Sequence, residues 1–167
     1  VEGCRLLDVD PGKSTNRTVI TFVGPPETIG EAAFRVIEKA AELIDMSKHS
    51  GEHPRMGATD VCPFVPISGV TMADCIQVAH ALGKRVGEQL GIPGYHYESA
   101  AHTPERKDLA FCRKGEYEGL EKLSSDEFRP DFGPSAFNDR AQKTGATAIG
   151  ARDFLVAYNI NINSTSS

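Results

Sequence analysis

TMADCIQVAHALGKRVGEQLG, residues 71–91, is the stretch that decides the fold. Thr71 is a favoured helix N-cap residue and Asp74 follows three positions later, which marks the start of a helix. Gly91 is the residue type that most often ends one. Between these limits apolar residues recur every three or four positions, as they do on one face of a helix. That face consists of Cys75, Val78, Ala79, Leu82, Val86 and Leu90.

A second long helix is predicted upstream, from Thr28 to about Ser47, after the strand-ending run Gly-Pro-Pro-Glu at 24–27. Its apolar positions have the same helical spacing. They are Ile29, Ala32, Ala33, Val36, Ile37, Ala40, Leu43 and Ile44. A chain of 167 residues with 40% hydrophobic and 25% charged residues is long enough for one full-sized domain around two such helices.

Strands are predicted where β-branched and apolar residues alternate with polar ones. These strands span residues 4–10, 17–23, 60–67, 95–97 and 154–162. Short helices are predicted at 109–114 and 117–123, and a loop rich in Gly, Pro and Asn at 129–145. The element order predicts an α+β fold, a ferredoxin-like layered domain with a mixed sheet and two long helices on one face. Such a domain begins with a strand and a helix, and we expect this sequence to start after them.

The overall composition narrows the range of partners. A net charge of −5 gives no basic field to attract nucleic acid, and no apolar run approaches the ~18 residues of a membrane span. Four cysteines without a C-x-x-C pair predict reduced thiols in a cytoplasmic protein. A small anionic ligand is still compatible with this composition if Arg and Lys cluster locally.

HSGEHPRMG, residues 49–57, combines two imidazoles, a carboxylate and a guanidinium within nine residues. Its H-x-x-E-H spacing matches a zinc pattern on a helix, but Gly51 and Pro54 oppose helical geometry, so we expect no metal there. His53 is then either a surface histidine or a general acid/base, since imidazole exchanges protons near neutral pH. Asp10 ends the first predicted strand and is a candidate partner for this imidazole if the strand ends converge.

The loop RPDFGPSAF, residues 129–137, has two interpretations. It is either a surface loop or a ligand lid, in which Phe132 and Phe137 make ring contacts and backbone N–H groups face the ligand. The small residues at 145–152 extend it and would let a flat ligand approach the backbone. Among the remaining histidines, His80 and His96 read as structural and His102 has no assigned role.

Several motifs occur in an order that resembles a known family. They are LLDVD at 6–10, STNRTV at 14–19, TFVGPPE at 21–27, GEHPRMG at 51–57, DVCPF at 60–64, PDFGPS at 130–135 and NIN at 159–161. The chain is similar over nearly its whole length to the N-terminal subdomain of glutamate formiminotransferase, the folate-dependent half of formiminotransferase-cyclodeaminase. The resemblance implies transfer of a formimino group from N-formimino-L-glutamate to N5 of tetrahydrofolate, the co-substrate, in histidine degradation, without a metal.

The resemblance also implies roles for individual residues. His53 would be the catalytic acid/base, with Asp10 near it. Folate would bind along 133–145. The residues expected to contact folate or substrate are Gly133, Pro134, Ser135, Ala136, Phe137, Thr144 and Gly145, with Arg17, Lys48 and Arg55 as carboxylate anchors.

Two parts of the family pattern are expected to be missing. These are the opening strand and helix and the C-terminal subdomain on the other side of the folate. Residues 1–163 are expected to form the subdomain and 164–167 a polar tail. A homodimer, or a cyclodeaminase fused downstream, is a possible partner. The alternative function is a folate-binding or interaction module that has lost turnover by truncation.

Overall fold

The computed structural model describes residues 1–156 as an α+β domain. Its strands are β1 (Arg5–Gly12), β2 (Arg17–Val23), β3 (Val61–Phe64), β4 (Gly94–Glu98) and β5 (Thr147–Ala151). Its helices are α1 (Pro26–Leu43), α2 (Met72–Arg85), α3 (Leu109–Cys112), α4 (Glu116–Gly119) and α5 (Asp139–Thr144). The predicted α+β class is therefore confirmed.

The strands form two sheets rather than the single mixed sheet expected. β1 and β2 pair as an antiparallel hairpin, while β3, β5 and β4 form a parallel sheet with β5 in the centre. The ferredoxin-like arrangement stays a prediction, because no ladder joins the hairpin to the parallel sheet within residues 1–156.

The two long helices form where their patterns predict them. Thr71 accepts a hydrogen bond from the Asp74 backbone N–H, and the Asp74 carboxylate accepts one from the Thr71 N–H, so both ends of a capping box are present. The helical path continues through Val86–Leu90 and stops at Gly91, whose φ of 65° is left-handed. Among the described residues, no helix is both long and apolar enough to cross a membrane.

The parallel sheet is covered on both faces. Ile149 and Ala151 of β5 pack with α1 and α2 in one cluster of buried residues. Ala148, which points the other way, packs in a second cluster with Leu120 and Leu123 from the segment after α4. Burial on both faces is typical of parallel strands.

The central strand was missed by the sequence analysis, which assigned 145–152 to a ligand-facing loop. All five residues of β5 are buried, so the strand has no polar alternation to reveal it. Its small residues serve packing instead: a Cβ on Gly150 would lie 2.5 Å from the Tyr97 ring. The predicted strand at 154–162 is wrong for 154–156, which are not in a strand, and its remainder lies outside the described residues.

The hairpin, in contrast, exposes apolar side chains on both of its faces. Val19 and Ile20 are neighbours in the regular part of β2 and point to opposite faces, yet they are 45% and 44% exposed. Within the described part of the chain, Phe22 of β2 is the hairpin side chain that packs partly against the cluster containing α1 and α2. The hairpin is therefore held mainly by its two ends.

Candidate active site at the junction of hairpin and core

The loop 49–57 is anchored to the core through its last residues. Met56 is fully buried, and its carbonyl accepts a hydrogen bond of 3.0 Å from the Ala146 N–H. Gly57 pairs with Gly145 in an isolated antiparallel bridge, and a Cβ on Gly57 would lie 1.9 Å from the Ala146 carbonyl oxygen. Glycine is needed there because the two backbones are in direct contact.

A buried carboxylate holds the same loop from the opposite side. Asp60 accepts a 2.7 Å bond from the Met56 N–H, and Arg113 donates to the other Asp60 oxygen at 2.9 Å. Arg113 also donates to the Pro54 carbonyl at 3.2 Å. Side chains of Asp60 and Arg113 are 17% and 16% exposed, so this ion pair is largely shielded from water. The residue after His53 is thus fixed by a network rather than left mobile.

His53 has one tautomer that satisfies both of its neighbours. Its Nδ1 lies 2.8 Å from the Pro54 carbonyl, which can only accept, so Nδ1 carries the proton. Its Nε2 lies 2.7 Å from a guanidinium nitrogen of Arg17, which can only donate, so Nε2 offers its lone pair. The imidazole is therefore neutral, with its basic nitrogen directed toward the hairpin.

The hairpin turn brings Arg17 to this position. Asn16, at φ 49°, donates from its side chain to the Ser50 carbonyl at 2.8 Å. Gly51 lies so close to the turn that a Cβ would be 2.6 Å from the Thr15 carbonyl oxygen. The turn and the loop are thus joined by direct backbone contact, and Arg17 follows immediately at the start of β2.

Asp10 lies on the same face of the hairpin as Arg17. The register pairs Asp10 with Val19 and Gly12 with Arg17, and directly opposed residues of an antiparallel pair share a face. No hydrogen bond joins Asp10 to His53 among the described residues. The expected partnership of Asp10 with His53 therefore stays a prediction, and Arg17 is the side chain that contacts the imidazole.

Arg55 is bound by two glutamates from the α4 segment. It donates to Glu116 at 3.0 Å and to both carboxylate oxygens of Glu118 at 2.9 and 2.7 Å. The bond to Glu118 raises the pKa of Arg55, while burial acts against it. The same hydrogen bond is the main cause of the lowered pKa of Glu118. A substrate carboxylate would have to displace one of these glutamates to reach the Arg55 guanidinium.

Lys48, another predicted anchor, is exposed and pairs with Asp45 at 2.7 Å. Its pairing raises the pKa of Lys48 and lowers the pKa of Asp45 to about 2, with an additional bond from Ser47 to Asp45. An exposed ion pair of this kind contributes little to stability, so Lys48 can exchange its partner for a ligand at small cost.

The predicted folate segment begins at a constrained glycine. Gly133 has a φ of 77°, and a Cβ there would lie 2.3 Å from the Ile92 carbonyl oxygen. Ser135 and Ala136 that follow are exposed, while Phe137 is half-buried with its ring 5.9 Å from that of Tyr117. Because the Tyr117 N–H donates to the Arg55 carbonyl, this segment is connected to the loop that carries His53.

Thr144 and Gly145 lie behind the surface rather than on it. Residues 139–144 form helix α5 with Asn138 as N-cap, where a loop was predicted. Thr144 is 2% exposed, its hydroxyl donates to the Arg140 carbonyl, and its own carbonyl accepts from the Ala58 N–H. These two residues support the His53 loop, and their direct contact with folate stays a prediction.

The residues that sequence reasoning missed are Arg113, Glu116, Glu118 and Tyr117. They lie about 60 residues after the loop that they contact, and their stretch was read only as short charged helices. The one usable signal was the acidic-aromatic-acidic run at 116–118, which offers two carboxylates and a ring to a nearby guanidinium.

Comparison with known proteins identifies relatives over this whole region. Residues 1–152 match the family described as the formiminotransferase domain, N-terminal subdomain. Formimidoyltransferase-cyclodeaminase of Mus musculus is 57% identical over 164 residues, 98% of this chain. Glutamate formimidoyltransferase of Streptococcus pyogenes serotype M1 is 48% identical over 164 residues, also 98% of this chain. The chain spans 30% of the mouse protein and 54% of the streptococcal one.

Proposed function

The chain belongs to the family of the formiminotransferase domain, N-terminal subdomain, and we propose on this basis that it provides the acid/base half of a folate-dependent formimino transfer. The donor is N-formimino-L-glutamate and the acceptor is N5 of tetrahydrofolate, as in histidine degradation. Residues 1–163 are proposed as the functional unit, with 164–167 as a tail.

The observation that carries the proposal is the fixed tautomer of His53. A transfer from one nitrogen to another needs a base that takes a proton from the attacking N5 and an acid that returns it to the departing glutamate nitrogen. A neutral imidazole with a free Nε2 lone pair performs the first step, and the imidazolium it becomes performs the second. Nδ1 stays bonded to the Pro54 carbonyl throughout, so the ring keeps its orientation.

Arg17 is proposed to couple substrate binding to the release of this lone pair. In the structure its guanidinium donates to Nε2 at 2.7 Å, which blocks the nitrogen that must act as base. A carboxylate of formiminoglutamate is a stronger partner for the guanidinium than a neutral imidazole. Binding of the carboxylate would draw Arg17 from His53 and leave Nε2 facing the nucleophile. Lys48 and, after displacement of a glutamate, Arg55 are further anchors.

Tetrahydrofolate is proposed to lie along 133–137. Gly133, Pro134, Ser135 and Ala136 supply a backbone path, and the Phe137 ring offers a flat apolar contact. Thr144 and Gly145 support the His53 loop from below. Tyr117 connects this segment to the loop that carries His53: its ring lies 5.9 Å from the Phe137 ring, and its N–H donates to the Arg55 carbonyl.

The test is His53→Gln, which keeps hydrogen-bonding atoms but removes the proton carrier. Assayed in the complete polypeptide that contains this chain, it should lower kcat roughly 10²–10⁴-fold while tetrahydrofolate binding persists. His49→Gln, in the same loop, is the matched control and should stay within about threefold of wild type. Wild-type kcat in the His53 variant would refute the acid/base role.

The alternative is a folate-binding or interaction module without turnover. This alternative stays open because the chain covers only part of each relative's length. Calorimetry of the 167-residue chain with tetrahydrofolate, beside the transferase assay, separates the two. Binding without turnover favours the module. A C-terminal subdomain would then supply the other side of the folate site, and a second copy of the chain and a fused cyclodeaminase are further proposed partners, in line with the 30% of the mouse relative that this chain spans.

A further inference from the structure

We propose that His80, His96 and His102 form a zinc site that is separate from the His53 loop. They lie on three different elements: α2, β4 and the loop after β4. Their candidate ligand nitrogens all lie within 4.8 Å of one another. The sequence analysis treated the first two as structural and gave the third no role, because their spacing in the chain matches no metal motif.

The three imidazole rings contact one another pairwise. Ring centroids are 4.6 Å apart for His80 and His96, 4.9 Å for His80 and His102, and 5.1 Å for His96 and His102. The nearby carboxylate of Asp131 is already used by the His96 backbone N–H and by Arg106. Among the described residues, no carboxylate is hydrogen-bonded to any of the three rings.

His96 supplies an independent sign of a missing ligand. Its side chain is 4% exposed, and its Nδ1 is buried without a hydrogen-bond partner among the described residues. A buried polar atom in this state is costly and calls for an explanation. A metal ion bound within the cluster would offset that cost.

His80 is already oriented as a metal ligand would be. Its Nε2 lies 2.8 Å from the Ala100 carbonyl, which can only accept, so Nε2 carries the proton. Nδ1 therefore offers a lone pair. Zinc-bound histidines almost always donate their other ring N–H to a carbonyl or carboxylate in this way.

Zinc is the ion that fits this donor set. Imidazole nitrogens suit Zn²⁺, and three protein ligands leave the fourth tetrahedral position to water. Zn–N bonds of about 2.1 Å require nitrogens about 3.4 Å apart, so the cluster has to contract from its present spread. His102 is exposed and lies in a loop, so its side chain can make that movement.

The site would stiffen the base of the proposed folate segment. The His96 ring lies 5.0 Å from the Phe132 ring, directly before Gly133, and the His96 N–H is bonded to Asp131. Metal binding would fix α2, β4 and the loop after β4 against this point. This effect on the three elements does not depend on His53.

The experiment is a zinc titration of the metal-free 167-residue chain, followed by calorimetry, together with the His102→Gln variant. We expect one Zn²⁺ per wild-type chain and binding at least tenfold weaker in His102→Gln. Co²⁺ as a second probe should give intense visible bands with wild type that are lost in the variant. His49→Gln, which removes an imidazole from the H-x-x-E-H run, is the matched control and should bind zinc as wild type does.

Three outcomes would overturn the site: no zinc uptake by wild type, unchanged affinity in His102→Gln, or loss of binding in His49→Gln. Because His102 is exposed, the thermal midpoint of the metal-free His102→Gln variant should match that of wild type, so weaker binding cannot be attributed to unfolding. His80→Gln provides a second variant and should weaken binding as His102→Gln does.

Discussion

The β1–β2 hairpin and the β3–β5–β4 sheet both contain apolar β-branched residues but have opposite surroundings. Ile20 in β2 is 44% exposed, whereas Ile149 in β5 is fully buried. The parallel sheet is packed on both faces, whereas within residues 1–156 the hairpin contributes Phe22 to the packing against the core and is joined to the His53 loop at its turn. Secondary structure alone therefore says little about where the stability of this domain resides: burial decides it.

The candidate active site lies where these two regions meet. Its loop is fixed to the core side by Met56, Gly57 and Asp60. The Arg17 that contacts His53 comes from the hairpin side. The proposed acid/base, His53, is held by the packed core, and the proposed substrate anchor, Arg17, is carried by the exposed hairpin. This arrangement suits the proposed displacement of Arg17 on substrate binding.

The comparison is tested most strongly by truncating one isoleucine in each sheet. Ile149→Ala should lower the free energy of unfolding by about 3 kcal/mol, because it leaves a cavity between the long helices and β5. Ile20→Ala, the same change on the exposed hairpin, should cost less than about 1 kcal/mol. Urea denaturation followed by circular dichroism measures both. Equal losses would mean that the hairpin is as tightly packed as the core, contrary to its exposure.

A smaller effect is expected from loosening the hairpin turn. Asn16→Gly keeps a residue that tolerates positive φ but removes the bond to the Ser50 carbonyl. The hairpin amides should exchange with deuterium about fivefold faster, as expected for the loss of about 1 kcal/mol of local stability.

Amides of β5 are the internal reference for this variant and should keep their exchange rates. Lys13→Ala, in the same turn, is the matched control and should change the exchange rates of neither the hairpin amides nor the β5 amides. If β5 amides accelerated as much as hairpin amides in Asn16→Gly, the two regions would open as one unit, and the contrast between them would not hold.

The smallest effect concerns the Arg55–Glu118 pair on the core side. Its hydrogen bond lowers the pKa of Glu118 below its usual 4.5. A carboxylate whose pKa is lowered in the folded state stabilises the protein at pH values above its usual pKa. That stabilisation is lost as the pH falls through the folded-state pKa. The contribution should be below about 1 kcal/mol, because the Glu118 side chain is 67% exposed and screened by solvent.

Glu118→Gln should therefore flatten the acid limb of the stability curve between about pH 5 and pH 3. The free energy of unfolding, measured at several pH values for both proteins, tests this. Curves that run parallel over that interval would show that the pair makes no contribution.

Much of the fold and part of the site could be predicted from local sequence. The capping residues Thr71 and Asp74 defined the start of α2, and Gly91 defined its end, because caps act within one turn. The alternation of β2 indicated a strand beside the first. In the loop 49–57, Pro54 and Gly51 correctly opposed a helix, since the structure has no regular element there.

The chain's own sequence thus determined two long helices, the caps of the second one, a hairpin, the family to which it belongs and His53 as its candidate acid/base. Only the tertiary structure revealed β5 as the central strand, Arg17 as the neighbour of His53, Glu118 as the partner of Arg55 and the convergence of three histidines. The reason is physical. Helix periodicity, caps and turns are set by neighbours in the chain, whereas a strand buried on both faces carries no periodic signal. Contacts between residues dozens of positions apart arise only when the whole core packs.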